Sequence, residues 1–225
     1  EDTAITEKFF GPQYDIHGGG IDLIFPHHEC EIAQIESVSG KKPLVNYWMH
    51  NEFLMVNGEK MSKSLGNFTT IKDALKNYKP QVLRLFFAAT HYRQPINYSE
   101  ENLKNTNAVY EKFVDFVMKL QNVKAKSGDK INAILSRTKK EFEVAMDDDF
   151  NIAGALAAIF DFMSEVNKLI DANKLGSAGA KKVYSFILDL DKVIGLGLKN
   201  IKEEKLPTEI MKLIKQREVA RKNKD

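Results

Sequence analysis

"NGEKMSKSLGNF", residues Asn57 to Phe68, sets two lysines, Lys60 and Lys63, beside two serines, Ser62 and Ser64, between the glycines Gly58 and Gly66. Small residues make such a loop mobile. Its ammonium groups and hydroxyls suit it to close over a polyphosphate and to neutralise charge that develops on a leaving pyrophosphate. By composition alone, a Lys/Ser loop is more often an exposed hairpin with solvated lysines. The phosphate reading therefore depends on what surrounds it.

Upstream lies "HGGGIDLIFPHHECE", His17 to Glu31, which packs three glycines, three histidines, the chain's single cysteine (Cys30) and three acids into fifteen residues. A hydrophobic core does not need that mixture. Gly18, Gly19 and Gly20 follow "YDIH", which reads as a strand end. Glycines there let the backbone approach a ligand with no Cβ in the way, and ligands of open α/β sheets sit at the carboxyl ends of strands. Asp22 is placed to hold a ribose hydroxyl. After Pro26, His27 and Glu31 stand at i, i+4, the spacing that puts two metal ligands on one helix face. Cys30 falls on nearly the same face, and His28 and Glu29 are expected to point elsewhere. Taken alone, one His/Glu pair at that spacing is usually a surface hydrogen bond.

The remainder of the chain divides by texture. Residues 1 to about 97 carry the only tryptophan, all five histidines and short apolar runs of strand length, "IDLIF" and "EFLMV". From about residue 98 the pattern is helical. Ser99 reads as an N-cap, and Leu103, Tyr110, Phe113, Val117 and Leu120 follow at helical spacing. Further stripes run through Ile134, Leu135, Phe142 and Met146, through Leu156, Ile159, Phe160, Met163, Val166 and Ile170, and through Val183, Phe186, Ile187, Leu190 and Ile194. Four amphipathic helices with short loops make a bundle. Asp147, Asp148 and Asp149 are expected to cap the third of these helices at its positive end. A last helix is expected to start at Thr208. Its Arg217, Arg221, Lys222 and Lys224 suit either RNA phosphates or plain solvent.

The chain has 225 residues and a formal net charge of +2. That balance excludes a nucleic-acid coat held by a global field, so a nucleic-acid partner would meet a local basic patch. One cysteine excludes an intrachain disulfide and fits a reducing compartment, giving a cytoplasmic location as the expectation. No apolar run reaches the roughly 18 residues of a membrane span.

Read together, "DIHGGGIDLIFPHHECEIAQ", "NYWMHNEFLMVNGEKMSKSLGNF", "HYRQPINYSEENL" and "AMDDDFNIAGALAAIF" resemble the cysteinyl-tRNA synthetases, class I enzymes whose signature is KMSKS. The resemblance implies an α/β plus all-α fold. The C-terminal part of a Rossmann-type catalytic domain (1–55) would be followed by the KMSKS loop and a stem-contact-like connecting segment (56–97). A helical tRNA-binding bundle (98–198) and the start of a helical tail (199–225) would complete it. It implies activation of L-cysteine by ATP with Mg²⁺ and transfer to tRNA(Cys), by a monomer with no membrane partner. Lys60 and Lys63 would be catalytic. Ser62, Ser64, Gly18–Gly20 and Asp22 would join them around ATP, and His17 would lie beside the bound cysteine. His27 and Glu31 match two ligands of a zinc ion that takes the cysteine thiolate, a bond that a serine hydroxyl does not make. A third family ligand, a cysteine, falls on Asp2, so either Asp2 or Cys30 would complete that set. The family's first ATP motif would lie upstream of residue 1, and a piece lacking it is expected to be inactive alone. Two other readings stand beside this one: a cysteine–amino-sugar ligase of mycothiol synthesis, and a non-catalytic tRNA-binding paralogue.

Overall fold

The computed structural model describes residues 2–62, 66–125, 131–201 and 217. After helix α1 (Asp2–Phe10), strand β1 (Tyr14–Gly20) leads through helix α2 (Glu29–Ser39) into strand β2 (Val45–Asn51). The two strands are parallel, with His17 opposite Trp48 and Gly19 opposite His50. Parallel neighbours need a crossover, and α2 supplies it, so this is a βαβ unit. Ile35 of α2 packs on Leu44 and Val45, with Tyr14, Ile32 and Trp48 around them.

Two local expectations change here. β1 does not stop before the glycines but runs through Gly20. "IDLIF" is not a strand: Ile21–Leu23 form a 3₁₀ turn, and Ile24–His28 continue as a wide helical turn broken by extended backbone at Phe25. Its apolar residues are all exposed, from Ile21 at 38% to Phe25 at 77%. A strand there would need a pairing partner for every backbone group, whereas turns of helix satisfy theirs locally.

From β2 the chain passes almost directly into a second sheet. Strands β3 (Leu54–Val56) and β4 (Glu59–Lys60) form an antiparallel hairpin, and β5 (Ile96–Tyr98) lies parallel to β3 on its other side. The hairpin turns at Asn57–Gly58, with φ of 51° and 86°. Both residues are left-handed, as a two-residue turn matched to strand twist requires. Between β4 and β5 lie helices α3 (Ile71–Asn77) and α4 (Pro80–Ala88), which the reading of the sequence did not anticipate.

The helical half follows expectation closely. Helices α5 (Glu100–Gln121), α6 (Asn132–Asp147), α7 (Ile152–Asp171) and α8 (Ser177–Ile194) share one core. Phe113, Phe116, Ile159, Phe162, Val166, Val183 and Ile187 are buried in it, each stabilising the fold by about 1.5–3 kcal/mol through apolar burial. Ser99 caps α5, its hydroxyl accepting from Asn102 N–H. The three aspartates do not cap α7. Asn151 does, accepting from Gly154 N–H. The chain must reverse between α6 and α7, and Asp149 and Phe150, both at positive φ, make that reversal. Thr208, Arg221, Lys222 and Lys224 lie outside the described residues, and Arg217 is exposed.

Candidate active site

The carboxyl ends of β1 and β2 carry a cluster of rings. His17 stacks on Trp48 with centroids 4.8 Å apart, and His28 lies 4.7 Å from His17 and 5.0 Å from His50. Trp48 and His50 alternate along β2, which turns both to one face. Hydrogen bonds fix the outer nitrogens of two imidazoles: Tyr14 Oη meets His17 Nδ1 at 2.6 Å, and His50 Nε2 meets His28 Nδ1 at 2.8 Å. The Nε2 atoms of His17 and His28 are left for the interior. Glu31, on the first turn of α2, is buried. Its Oε2 lies 3.6 Å from His17 Nε2 and makes no hydrogen bond.

Burial and the neighbouring His17, His50 and His27, in that order, pull His28 down to about 4, so it is a neutral imidazole at physiological pH. Burial pushes the Tyr14 phenol up, and Glu31 adds to that.

The structure brings together Asp2, His27, Glu31 and His17. His27 Nε2 is 3.9 Å from Asp2 Oδ2 and 4.0 Å from Glu31 Oε1. Two expectations need correction. His28 does not point away but is 3% exposed and faces His17. Cys30 is exposed on the outside of α2. The reason is local: α2 begins at Glu29, so His28 at i−3 from Glu31 shares its inner side. Among the described residues, the one group of three whose ligand atoms all lie within 4.8 Å of one another is His17, His28 and Glu31. Asp2 and His27 stand outside it. The sequence reading missed His28, His50, Trp48 and Tyr14, although the i, i+3 spacing of His28 and Glu31 and the i, i+2 spacing of Trp48 and His50 carry the signal.

The glycines serve this cluster. A Cβ on Gly19 would stand 2.7 Å from His28 Cε1, so the strand is bare there to admit a protein ring. A Cβ on Gly20 would meet Asp22 Oδ1 at 2.6 Å. Asp22 itself is exposed. In the lysine loop, Lys60 ends β4 with its ammonium 3.6 Å from the centre of the Phe53 ring, a cation–π contact. Ser62 N–H donates to Asn67 Oδ1. Lys63 and Ser64 lie outside the described residues.

Comparison with known proteins agrees with this architecture. Residues 1–108 match the family "tRNA synthetases class I (C) catalytic domain", and residues 141–199 match the DALR domain. A LeuRS of Agrobacterium radiobacter, solved as a ternary complex with tRNA and LeuAMS, superposes with a TM-score of 0.65 over 83% of this chain and 27% of that one, at 17% identity, which establishes the fold. A parallel βαβ unit, a short hairpin sheet and then a helical bundle, matched by these two domain models in that order, are the architecture of class I aminoacyl-tRNA synthetases. The whole chain aligns at 43% identity with 49% of the cysteine–tRNA ligase of Oenococcus oeni, and at 41% with 50% of that of Thermodesulfovibrio yellowstonii. The chain belongs to the cysteine–tRNA ligase family and spans about half the length of the curated relatives it matches.

Proposed function

We propose that the protein containing this chain activates L-cysteine with Mg²⁺-ATP and transfers it to tRNA(Cys). The observation that carries this is the similarity along the full chain to cysteine–tRNA ligases. Activation is in-line attack of the cysteine carboxylate on the α-phosphorus of ATP, with pyrophosphate leaving. Positioning and charge stabilisation suffice for that step. Lys60 and Lys63 would meet the charge on the departing phosphates, with Ser62 and Ser64 as donors. Gly18–Gly20 and Asp22 would form the adenosine side of the pocket. His17, stacked on Trp48, would form the cysteine side.

Zinc fits the donors present, imidazole and carboxylate, and the buried unpartnered Glu31 Oε2 is the kind of atom a cation satisfies. Two sets of residues offer holders around the same Glu31: His17 and His28, whose ligand atoms lie within 4.8 Å of one another and of Glu31, and the Asp2–His27–Glu31 set that the family resemblance implies, in which His27 Nε2 stands 3.9 Å and 4.0 Å from the two carboxylates. When bound, the metal would take the substrate thiolate and so distinguish cysteine from serine. In the protein's own residues, Tyr14 and His50 would orient the two imidazoles, and Trp48 would shield them from water. Cytoplasmic location and action as a monomer belong to this same reading. Among the described residues no helix is long and apolar enough to cross a membrane.

The test is cysteine-dependent ATP–pyrophosphate exchange by the full-length protein and by Lys63→Ala. Exchange should fall of order 10²–10³-fold, as for other losses of one stabilising donor, with the KM for cysteine little changed. Transfer of the activated cysteine to an amino sugar instead of to tRNA would favour the amino-sugar ligase. Absence of exchange together with tRNA binding would leave a non-catalytic paralogue.

A further inference from the structure

The lysine loop is closed at its mouth by one side chain. Asn67 accepts from Ser62 N–H through Oδ1 at 2.9 Å and donates through Nδ2 to the Lys60 carbonyl at 3.2 Å. Its amide thus spans both sides of Met61 as a neighbouring strand would, extending the β4 edge by one rung after the strand has ended. Met61 N–H completes the rung on the other side by donating to the Leu54 carbonyl of β3. Three residues after Asn67 the backbone is fixed again, where Thr70 caps α3 and accepts from Asp73 N–H. The tip of the hairpin is held from below, since Gly58 N–H donates to the Asn97 side chain of β5. The Lys60 ammonium rests on Phe53. Asn67 therefore fixes where the loop leaves β4 and where it returns.

We propose that Asn67 is a positioning residue. Its amide clips Asn67 to the backbone on both sides of Met61 and so fixes the point at which the chain leaves β4 and the point at which it returns at Asn67. It touches no substrate, and it works through the backbone of Lys60 and Ser62. This role rests on the ligase reading given above, while the clip itself does not. An amide is required because the Ser62 nitrogen offers a proton and the Lys60 oxygen accepts one. A carboxylate meets only the first. Alanine meets neither.

Two measurements on the full-length protein decide it. The first is limited trypsin digestion with the cut sites mapped by mass. Cleavage of an opening segment tracks how often it opens, so Asn67→Ala should speed cutting after Lys60 and Lys63 by about 5- to 30-fold, as the loss of one or two neutral hydrogen bonds allows. Cutting elsewhere and the melting temperature should stay the same, and Asn67→Asp should fall between. The second is cysteine-dependent ATP–pyrophosphate exchange in a double-mutant cycle. Asn67→Ala should lower kcat/KM for ATP and leave the KM for cysteine in place. Added to Lys63→Ala it should cost little more, because both act through one loop. Unchanged cutting at the two lysines overturns the clip whatever exchange shows. Faster cutting with exchange losses that multiply in full overturns the positioning role. Faster cutting in a protein whose unsubstituted form shows no cysteine-dependent exchange overturns the ligase reading and the positioning role with it, and leaves the clip established.

Discussion

His28 and Gly19 show how one residue is chosen for another. The ring of His28 occupies the space where a Cβ on residue 19 would stand, 2.7 Å from its Cε1 and 3.1 Å from its Nε2. That ring cannot simply swing aside, because its other nitrogen is bonded to His50 and its edge packs on Trp48. Gly19→Ala should therefore displace the imidazole rather than unfold the protein. We expect the KM for cysteine to rise about tenfold or more with a melting temperature within a few degrees of the parent, since a misplacement of about 1 Å in a positioned group can cost of order 10². An unchanged KM would place the cysteine elsewhere. Of this cluster, His17, His27 and Glu31 were legible in the sequence as chemistry. His28 was obscured by its neighbour, because adjacent residues on a helix face different ways and the pattern does not reveal the start of the helix.

At the scale of elements, the reversal between α6 and α7 ties the bundle to the sheet that bears the lysine loop. Three consecutive residues ahead of β5 converge on Asp149: His91 Nε2 meets its carbonyl at 3.0 Å, Tyr92 Oη donates to its carboxylate at 2.6 Å, and Arg93 Nε donates at 2.6 Å. The Tyr92 carbonyl in turn accepts from Glu52 N–H, just before β3. The Arg93 bond, with help from Tyr92, holds the Asp149 carboxyl below its usual range. A lowered carboxylate pKa contributes stability above the unfolded value of 3.8 and loses it as pH falls through the folded one. Asn tolerates the left-handed backbone at this position, so Asp149→Asn removes the charge without adding strain. The melting temperature should drop by about 2–4 °C at neutral pH. The gap from the parent should narrow as the buffer is taken from pH 6 toward pH 3.5. A gap independent of pH would show that the carboxylate charge is not what holds the loop. The sequence suggested a helix cap for these aspartates, as three acids before a helix ordinarily do. Only the arrival of residues 91–93 from a distant part of the chain gives Asp149 its partners.

Across these 225 residues a net charge of +2 gives no global field to hold RNA, so the tRNA contact proposed above would come from local groups. Lys112 and Lys119 of α5 and Lys168 of α7 line one groove of the bundle, with Asp115 and Asp171 among them. We expect the affinity of the full-length protein for tRNA(Cys) to fall steadily between about 50 and 200 mM salt, with a slope set by a few phosphate contacts. Lys112→Ala with Lys119→Ala should flatten that slope by about one to two. An affinity flat in salt would mean that bases, not phosphates, carry the binding. The sequence by itself determined the helical bundle, because a core stripe repeating every third or fourth residue has one stable use, and Phe113, Ile159 and Val183 were placed in it by spacing alone. It set the KMSKS string and the His17–Glu31 stretch apart from the core for a similar reason, because those residue types serve no purpose in a core, and the chemistry proposed for them starts from that. Tertiary structure alone decided which residues meet. Parallel pairing of β1 with β2 laid Trp48 and His50 against His17. The turn before α2 swung His28 inward and left Cys30 outside. The end of β4 put the Lys60 carbonyl and the Ser62 amide within reach of one asparagine. Such contacts join positions far apart in the chain, and no local period in the sequence encodes the register that brings them together.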